Sequence, residues 1–290
     1  MHKRFNKFYE VFDVLKNFKI GIMQGRLLPK INNKIQAFPE NNWKEEFEIA
    51  ERCKFDSIEW IIDKNNNPLL SDNGIDAVKQ ILSKFDVEIN SICCDYFMEN
   101  LLFRVTQEEQ EKNLQVLKKI ITNAHKLDIK ILEIPLVDSS SMKNDSEERE
   151  LIKNVNQIIP LIEELNITIG LETDYEPKKI LNLLENFDSK NIGLNYDFGN
   201  SSSLGYNPKE ELSSYGKYIK NIHIKDRKLR GETVPFGEGD ADFDLFFSTL
   251  KKINYNGELI LQGARIENKR PEDTCVEYRE FVQRFIERYF

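Results

Sequence analysis

A single (β/α)8 barrel over residues 19–290, preceded by an extra helix over residues 1–18, is the α/β fold this sequence predicts, on three observations. Short β-branched apolar runs alternate with amphipathic stretches in eight successive units of roughly 30 residues. Such strict alternation requires parallel pairing with a helix in every crossover. No shift of composition marks a linker, and 290 residues is an ordinary length for one barrel domain. A doubly wound open sheet is the runner-up. The turn after the first strand, G-I-M-Q-G-R, lacks the G-x-G-x-x-G spacing of a dinucleotide site, which counts against a nicotinamide cofactor.

The elements follow in order. Phe5, Phe8, Phe12 and Leu15 recur at helical spacing, so residues 1–18 read as a helix covering the barrel. The first strand is Lys19–Met23, followed by a long polar loop through Pro39. Trp43–Cys53 is the first barrel helix, D-S-I-E-W-I-I the second strand, and Gly74–Phe85 the second helix. V-E-I-N-S-I-C-C gives strand three. Thr106 with Glu109 three residues on is a capping box opening a helix to Leu127. Strand four, I-K-I-L-E-I, is closed by Pro135, and Pro160 kinks or restarts the helix over Ser146–Leu165. Strand five is Thr168–Glu172, its helix Pro177–Phe187, and strand six Ile192–Asp197. Asn207-Pro208 opens the next helix as cap then proline. Ile219–Arg227 carries strand seven, a helix begins near Asp242, Glu258–Gln262 is strand eight, and Glu272–Tyr289 closes the chain.

Composition narrows the function. Asp and Glu (49) outnumber Lys and Arg (41), a net charge of −8 that argues against a nucleic-acid binder working by bulk charge. No apolar run is long enough to span a bilayer, so no membrane role is expected. The amino terminus lacks the apolar core and cleavage site of a signal peptide. Four cysteines, Cys53, Cys93, Cys94 and Cys275, form no C-x-x-C pattern and read as reduced thiols, so the cytoplasm is the expected location.

The chemistry lies at strand ends. Glu172, Asp197, His223 and Gln262 end four successive strands, and in a barrel such positions project into the mouth. Two carboxylates and an imidazole suit Mn, Mg, Co or Zn, with the Gln262 amide oxygen as a fourth donor. Taken singly, each has a plainer role: Asp197 before F-G-N caps a turn, Glu172 pairs with a lysine, His223 is a hydrogen-bonded strand histidine. Four in phase favour one divalent ion.

Lys225, Arg227, Lys228 and Arg230 follow strand seven and Arg265 follows strand eight, a region that often holds phosphate in barrels. A solvated charged loop is an equal alternative. Gln24 and Arg26 approach the same mouth, and Asp226 either orients an arginine or His223 or touches substrate. P-F-G-E-G-D (residues 235–240) reads as a mobile flap. His125 is structural, and Cys94 beside Asp95 has no histidine partner marking a nucleophile.

G-I-M-Q-G-R-L, S-I-C-C-D-Y-F, G-L-E-T-D, Y-D-F-G-N, H-I-K-D-R and V-P-F-G-E-G-D-A-D-F run from about Gly21 to Arg265. Together they resemble the xylose-isomerase-like TIM-barrel superfamily, which includes endonuclease IV, and within it the sugar-phosphate isomerases and epimerases such as L-ribulose-5-phosphate 3-epimerase. The resemblance implies one divalent metal held by a glutamate, an aspartate, a histidine and a second glutamate. These roles fall on Glu172, Asp197 and His223, while Gln262 stands where the second glutamate is expected. Asn200 matches the G-N of the sugar-phosphate branch.

The glutamine is the departure. In the family's 3-epimerases two metal-bound glutamates work on opposite faces of the sugar, and an amide cannot act as a base near neutral pH. A one-base proton shift by Glu172 through an enediolate, its charge stabilised by the metal, survives this loss. Asp95, Glu133 or Glu59, acids near strand ends, are candidates to replace the missing one, and Glu59 and Asp95 are also expected to contact substrate. The resemblance thus implies a metal-dependent isomerase or epimerase of a small sugar or sugar phosphate. A degenerate, sugar-binding barrel is the alternative. A hydrolase of the endonuclease IV kind needs more histidines than His2, His125 and His223. Related enzymes often associate, so a homo-oligomer is compatible with the resemblance, though no apolar stripe decides it.

Overall fold

Eight parallel strands close into a ring in the computed structural model, which describes residues 18–31 and 34–290. They are β1 (Ile20–Met23), β2 (Ser57–Ile61), β3 (Ser91–Cys93), β4 (Ile131–Leu136), β5 (Thr168–Thr173), β6 (Ile192–Asp197) and β7 (Ile219–Ile224), with β10 (Leu259–Leu261) as the eighth stave. β1 pairs with both β2 and β10, so the barrel has no open edge. Between β7 and β10 a short antiparallel ribbon, β8 (Asp226–Arg227) with β9 (Thr233–Val234), stands in the loop. The helix expected over residues 1–18 falls almost wholly on residues 1–17, outside the described residues. Phe18 packs on the rings of Tyr255 and Phe290.

Helices jacket the ring because their apolar stripes match the outward faces of the strands. They are α1 (Trp43–Arg52), α2 (Asp72–Leu82), α3 (Gln107–Lys126), α4 (Asp145–Asn156), α5 (Ile159–Glu164), α6 (Pro177–Leu184), α7 (Phe198–Leu204), α8 (Pro208–Tyr215), α9 (Phe243–Lys252) and α10 (Pro271–Tyr289). Trp60 of β2 faces outward, its ring centroid 5.2 Å from those of Phe38 and Trp43. The Thr106–Glu109 capping box opens α3, and Pro160 sits in the first turn of α5, where the helical stretch restarts. Among the described residues no helix is long and apolar enough to cross a membrane.

Two local readings change. Pro135 does not close β4: the strand runs to Leu136, and Pro135 pairs with Glu172 of β5. The backbone groups of Glu133 and Pro135 face the β3 side, where the Cys94 amide donates to the Glu133 carbonyl. At Pro135 β3 has already ended, so the missing N–H breaks no ladder bond. The short helix α7 has no periodic apolar pattern to announce it. It forms because the Asp197 carboxylate accepts from the Asn200 amide at 2.8 Å and caps it.

The lumen is polar. A register shift between β6 and β7 moves the pairing from Leu194 with Ile219 to Asn195 with Asn221 and Asp197 with His223. Without that extra residue Asp197 would face Ile222, and since successive strand residues point to opposite sides, His223 would leave the level of the site. The shift therefore puts both residues of the Asp197–His223 pair on one side at one height. The Lys220 stem covers Gly193 below them, leaving no room there for a Cβ.

Candidate active site

Glu172 at the end of β5, Asp197 at the end of β6 and His223 near the end of β7 are all buried, and one ligand atom from each lies within 4.8 Å of the others. His223 Nδ1 is 3.4 Å from Glu172 Oε2 and 3.9 Å from Asp197 Oδ2. Its other nitrogen, Nε2, lies 2.6 Å from Glu59 Oε2, across the lumen on β2. An ionised carboxylate only accepts, so Nε2 carries the proton and Nδ1 is turned toward the two acids. Asn221 donates to the other Glu59 oxygen at 2.7 Å.

Glu172 is held at both oxygens, by Asn200 Nδ2 at 2.8 Å and Asn195 Nδ2 at 2.9 Å. Burial pushes its carboxyl up, but hydrogen bonding to His223 and the charges of His223 and Lys225 outweigh it, and the group titrates below the ordinary carboxylate value. Burial lowers His223, and Glu59 and Glu172 reverse this and raise it well above the usual imidazole value. Glu133, fully buried on β4, is raised well above its ordinary value by burial and by Glu172, and one of its oxygens has no hydrogen-bond partner.

Gln262 follows β10, the neighbour of β7, and its amide nitrogen donates to Gln36 Oε1 at 3.2 Å. Gln36 in turn donates to Asp95 Oδ2 at 2.9 Å, and Arg26 reaches the same Gln36 oxygen at 3.4 Å. Asp95 is half-buried, also accepts from Cys93, and titrates above its ordinary value because its carboxyl is largely withdrawn from water.

The basic residues separate into two groups. Lys225 Nζ lies 2.6 Å from Asp197 Oδ2, and Arg227 donates to Asn200 Oδ1 at 2.8 Å and to the Gly231 carbonyl. These two brace the acid cluster. Arg230 is exposed and, with Arg227, Asn200, Tyr206, Glu172 and Asp197, lines a cavity of about 330 Å³ beside the cluster. Arg26 and Arg265 lie instead between the loops after β1 and β10, donating to the Gly263 carbonyl and to the Gly25 and Leu28 carbonyls.

The structure adds detail to four further expectations. Asp226 neither orients an arginine nor faces His223: it accepts from the Gly237, Gly239 and Ala241 amides. The segment expected as a loose flap is thereby tied to β8, and its Phe236 stacks on Tyr278 at 4.2 Å. Gln24 is buried and accepts from the Ile61 amide, which makes it a brace between β1 and β2. Glu59 is engaged at both oxygens, by His223 and Asn221. His125 bonds the Leu165 carbonyl, the structural role expected of it.

Asn195, Asn221 and Gln36 were not singled out from the sequence. The first two carry a signal, each two residues before a site residue and so on the same strand face. Gln36, within a long polar loop, carries none.

The donor set fits a divalent ion: two carboxylates and an imidazole nitrogen converge, and each is oriented by a further hydrogen bond, as metal ligands commonly are. Comparison with known proteins gives the family. A protein of Haemophilus influenzae named "Putative L-ribulose-5-phosphate 3-epimerase SgbU" is 25% identical over 294 residues, covering 94% of this chain and 98% of its own. L-ribulose-5-phosphate 3-epimerase UlaE of Escherichia coli K12 is 23% identical over 252 residues, covering 83% and 89%. Among solved structures, the IOLI protein with a bound zinc atom superposes with a TM-score of 0.76 at 17% identity, covering 94% and 99%. A xylose isomerase domain protein from Planctomyces limnophilus gives 0.74 at 17%, covering 94% and 98%. At such identities the two structures establish the fold. The xylose isomerase-like TIM barrel model matches residues 47–283, and the chain belongs to that family.

Proposed function

We propose that the protein is a divalent-metal-dependent isomerase or epimerase of a small sugar or sugar phosphate, with Glu172 as its base. The observation that carries this reading is the buried Glu172–Asp197–His223 cluster at the carboxyl ends of three adjacent strands, opening on a cavity. The sugar-epimerase names of the relatives support the reaction class.

Glu172, Asp197 and His223 would hold the ion, with the Gln262 amide oxygen available as a neutral fourth donor. A bound Mn, Mg, Co or Zn supplies Lewis acidity that lowers the cost of negative charge developing on neighbouring sugar oxygens. The rest is the work of the chain. Glu172, kept ionised, takes the proton from the carbon beside the carbonyl, and the C–H electron pair moves into an enediolate. Returning that proton to the adjacent carbon from the same face, while the hydroxyl proton passes from one oxygen to the other, completes an aldose–ketose shift. Epimerisation needs a second acid on the opposite face. Gln262 cannot supply it, whereas Asp95, raised by burial and linked to Gln262 through Gln36, is placed on that chain of contacts.

The test is solvent exchange. Incubating the protein in D₂O with a panel of ketoses, aldoses and their phosphates should give metal-dependent deuterium incorporation at one carbon, lost by a factor of roughly 10²–10⁴ in Glu172→Gln. No exchange on any candidate, with the metal retained, would remove the reading. A binding-only barrel is the second reading, and the amide at position 262 favours it.

A further inference from the structure

Arg26 is 95% buried by its exposure of 5%, and among the described residues neither it nor Arg265 has a carboxylate within ion-pair distance. Their partners are neutral: the carbonyls of Gly263, Leu28 and Gly25 and the amide oxygen of Gln36. The Nε of each is buried without a hydrogen-bond partner. Burial, and after it repulsion by the Arg265 guanidinium, brings Arg26 down to about 10. Burying one cation beside another with no counter-charge is costly, and such a pair is stable when an anion joins it.

The surroundings fit that anion. Both arginines line a cavity of about 420 Å³, with Lys30, Lys269 and the first residues of α10, Pro271 and Thr274. α10 has 19 residues, and the free amides of its first turn add positive potential to the same space. Opposing charges are few. Glu267 lies at the rim, Lys269 is paired with Glu277, and Glu46, which Arg265 feels, is turned to the Gly25 and Leu27 amides. Asp95 acts on Arg26 only at longer range.

We propose that this cavity, between the loops after β1 and β10 and the start of α10, is a binding site for a phosphate monoester dianion. Arginine forks and helix amides match its oxygens, and two further lysines match its double charge. It is separate from the loop after β7, where Lys225 is paired with the Asp197 carboxylate and Arg227 holds Asn200. Through Arg26, Gln36 and Gln262 it adjoins the mouth of the barrel. The phosphoryl group belongs either to the substrate or to a separate phosphorylated ligand. The site stands independently of the isomerase reading, and only the choice between these sources rests on it.

Calorimetric titration of the full chain with inorganic phosphate at low salt tests the site without turnover. We expect saturable binding, weakened about tenfold in Arg265→Lys, which keeps the charge but loses the fork. The surface pair Lys30→Ala with Lys269→Ala, remote from the backbone contacts of the arginines, should weaken it by a similar factor. Tungstate soaked into crystals should give anomalous density between Arg26 and Arg265. Competition by phosphate against a turned-over sugar assigns the phosphoryl group to the substrate, and binding without competition assigns it to a separate ligand. Absence of phosphate binding, or binding unchanged in both variants, overturns the site.

Discussion

His223 on β7 and Glu59 on β2 meet across the barrel lumen at 2.6 Å, Nε2 to Oε2, and both side chains are 1% exposed or less. The contact fixes which imidazole nitrogen faces Glu172 and Asp197. It makes Glu59 a positioning residue acting through the histidine.

Glu59→Gln should therefore leave the barrel folded and lower the affinity for a divalent ion about 10–100-fold. Metal titration followed by competition with a chelator measures this. Equal affinity in the two proteins would show that Glu59 does not set the imidazole.

Gln262→Glu places a third carboxylate just past the end of β10, the strand beside β7. More negative charge in the donor set should tighten divalent binding, by about tenfold or more. The same variant separates the two functional readings: turnover confined to the restored protein makes the wild type a binding barrel.

Asp226→Ala leaves three amide donors, of Gly237, Gly239 and Ala241, without their acceptor. A loss of about 1–3 kcal/mol is expected if they stay buried, less if the loop opens to water. Limited proteolysis should cut within residues 235–241 in the variant first. An unchanged cleavage map would contradict the tie described here.

Glu46 gives a pH signature. Burial pushes its carboxyl up to about 7 from an ordinary 4.5, against the Gly25 and Leu27 amides that favour its ion. The folded state thus binds the proton more tightly than the unfolded chain. Its stabilising effect is complete below pH 4.5 and lost as pH rises to 7, about 3 kcal/mol in all. Glu46→Gln should not show this decline, so its stability relative to wild type rises between pH 5 and pH 8 in urea unfolding. A constant difference between the two proteins would sink the assignment.

Much of this was legible before any coordinates, for physical reasons. β6 could be read to the residue, because Ile192–Asp197 alternates cleanly and ends at a helix cap. β3 could not: only Ser91–Cys93 of the apolar run V-E-I-N-S-I-C-C holds ladder geometry. Pro135 misled because a strand proline is costly only where its N–H has a neighbour to bond. Strand phase brought Glu172, Asp197 and His223 into view, since spacing in sequence reports spacing at the mouth. It could not reveal the extra residue in β7 that levels Asp197 with His223, nor the cross-lumen bonds of Glu59, which depend on register between distant strands. The basic residues were visible as a set. Their division into two groups was not, because pairing with Asp197 or with backbone carbonyls is set in three dimensions.

The Asp226 carboxylate gathers three amides from one loop, and a loop so gathered cannot peel away residue by residue. Any gate at this edge of the barrel has to swing as a stiff panel, carrying the β8–β9 ribbon with it. Burial pushes the Asp226 carboxyl up while the panel is latched, so acid favours the latched panel over an opened one, in which the group would regain its ordinary value.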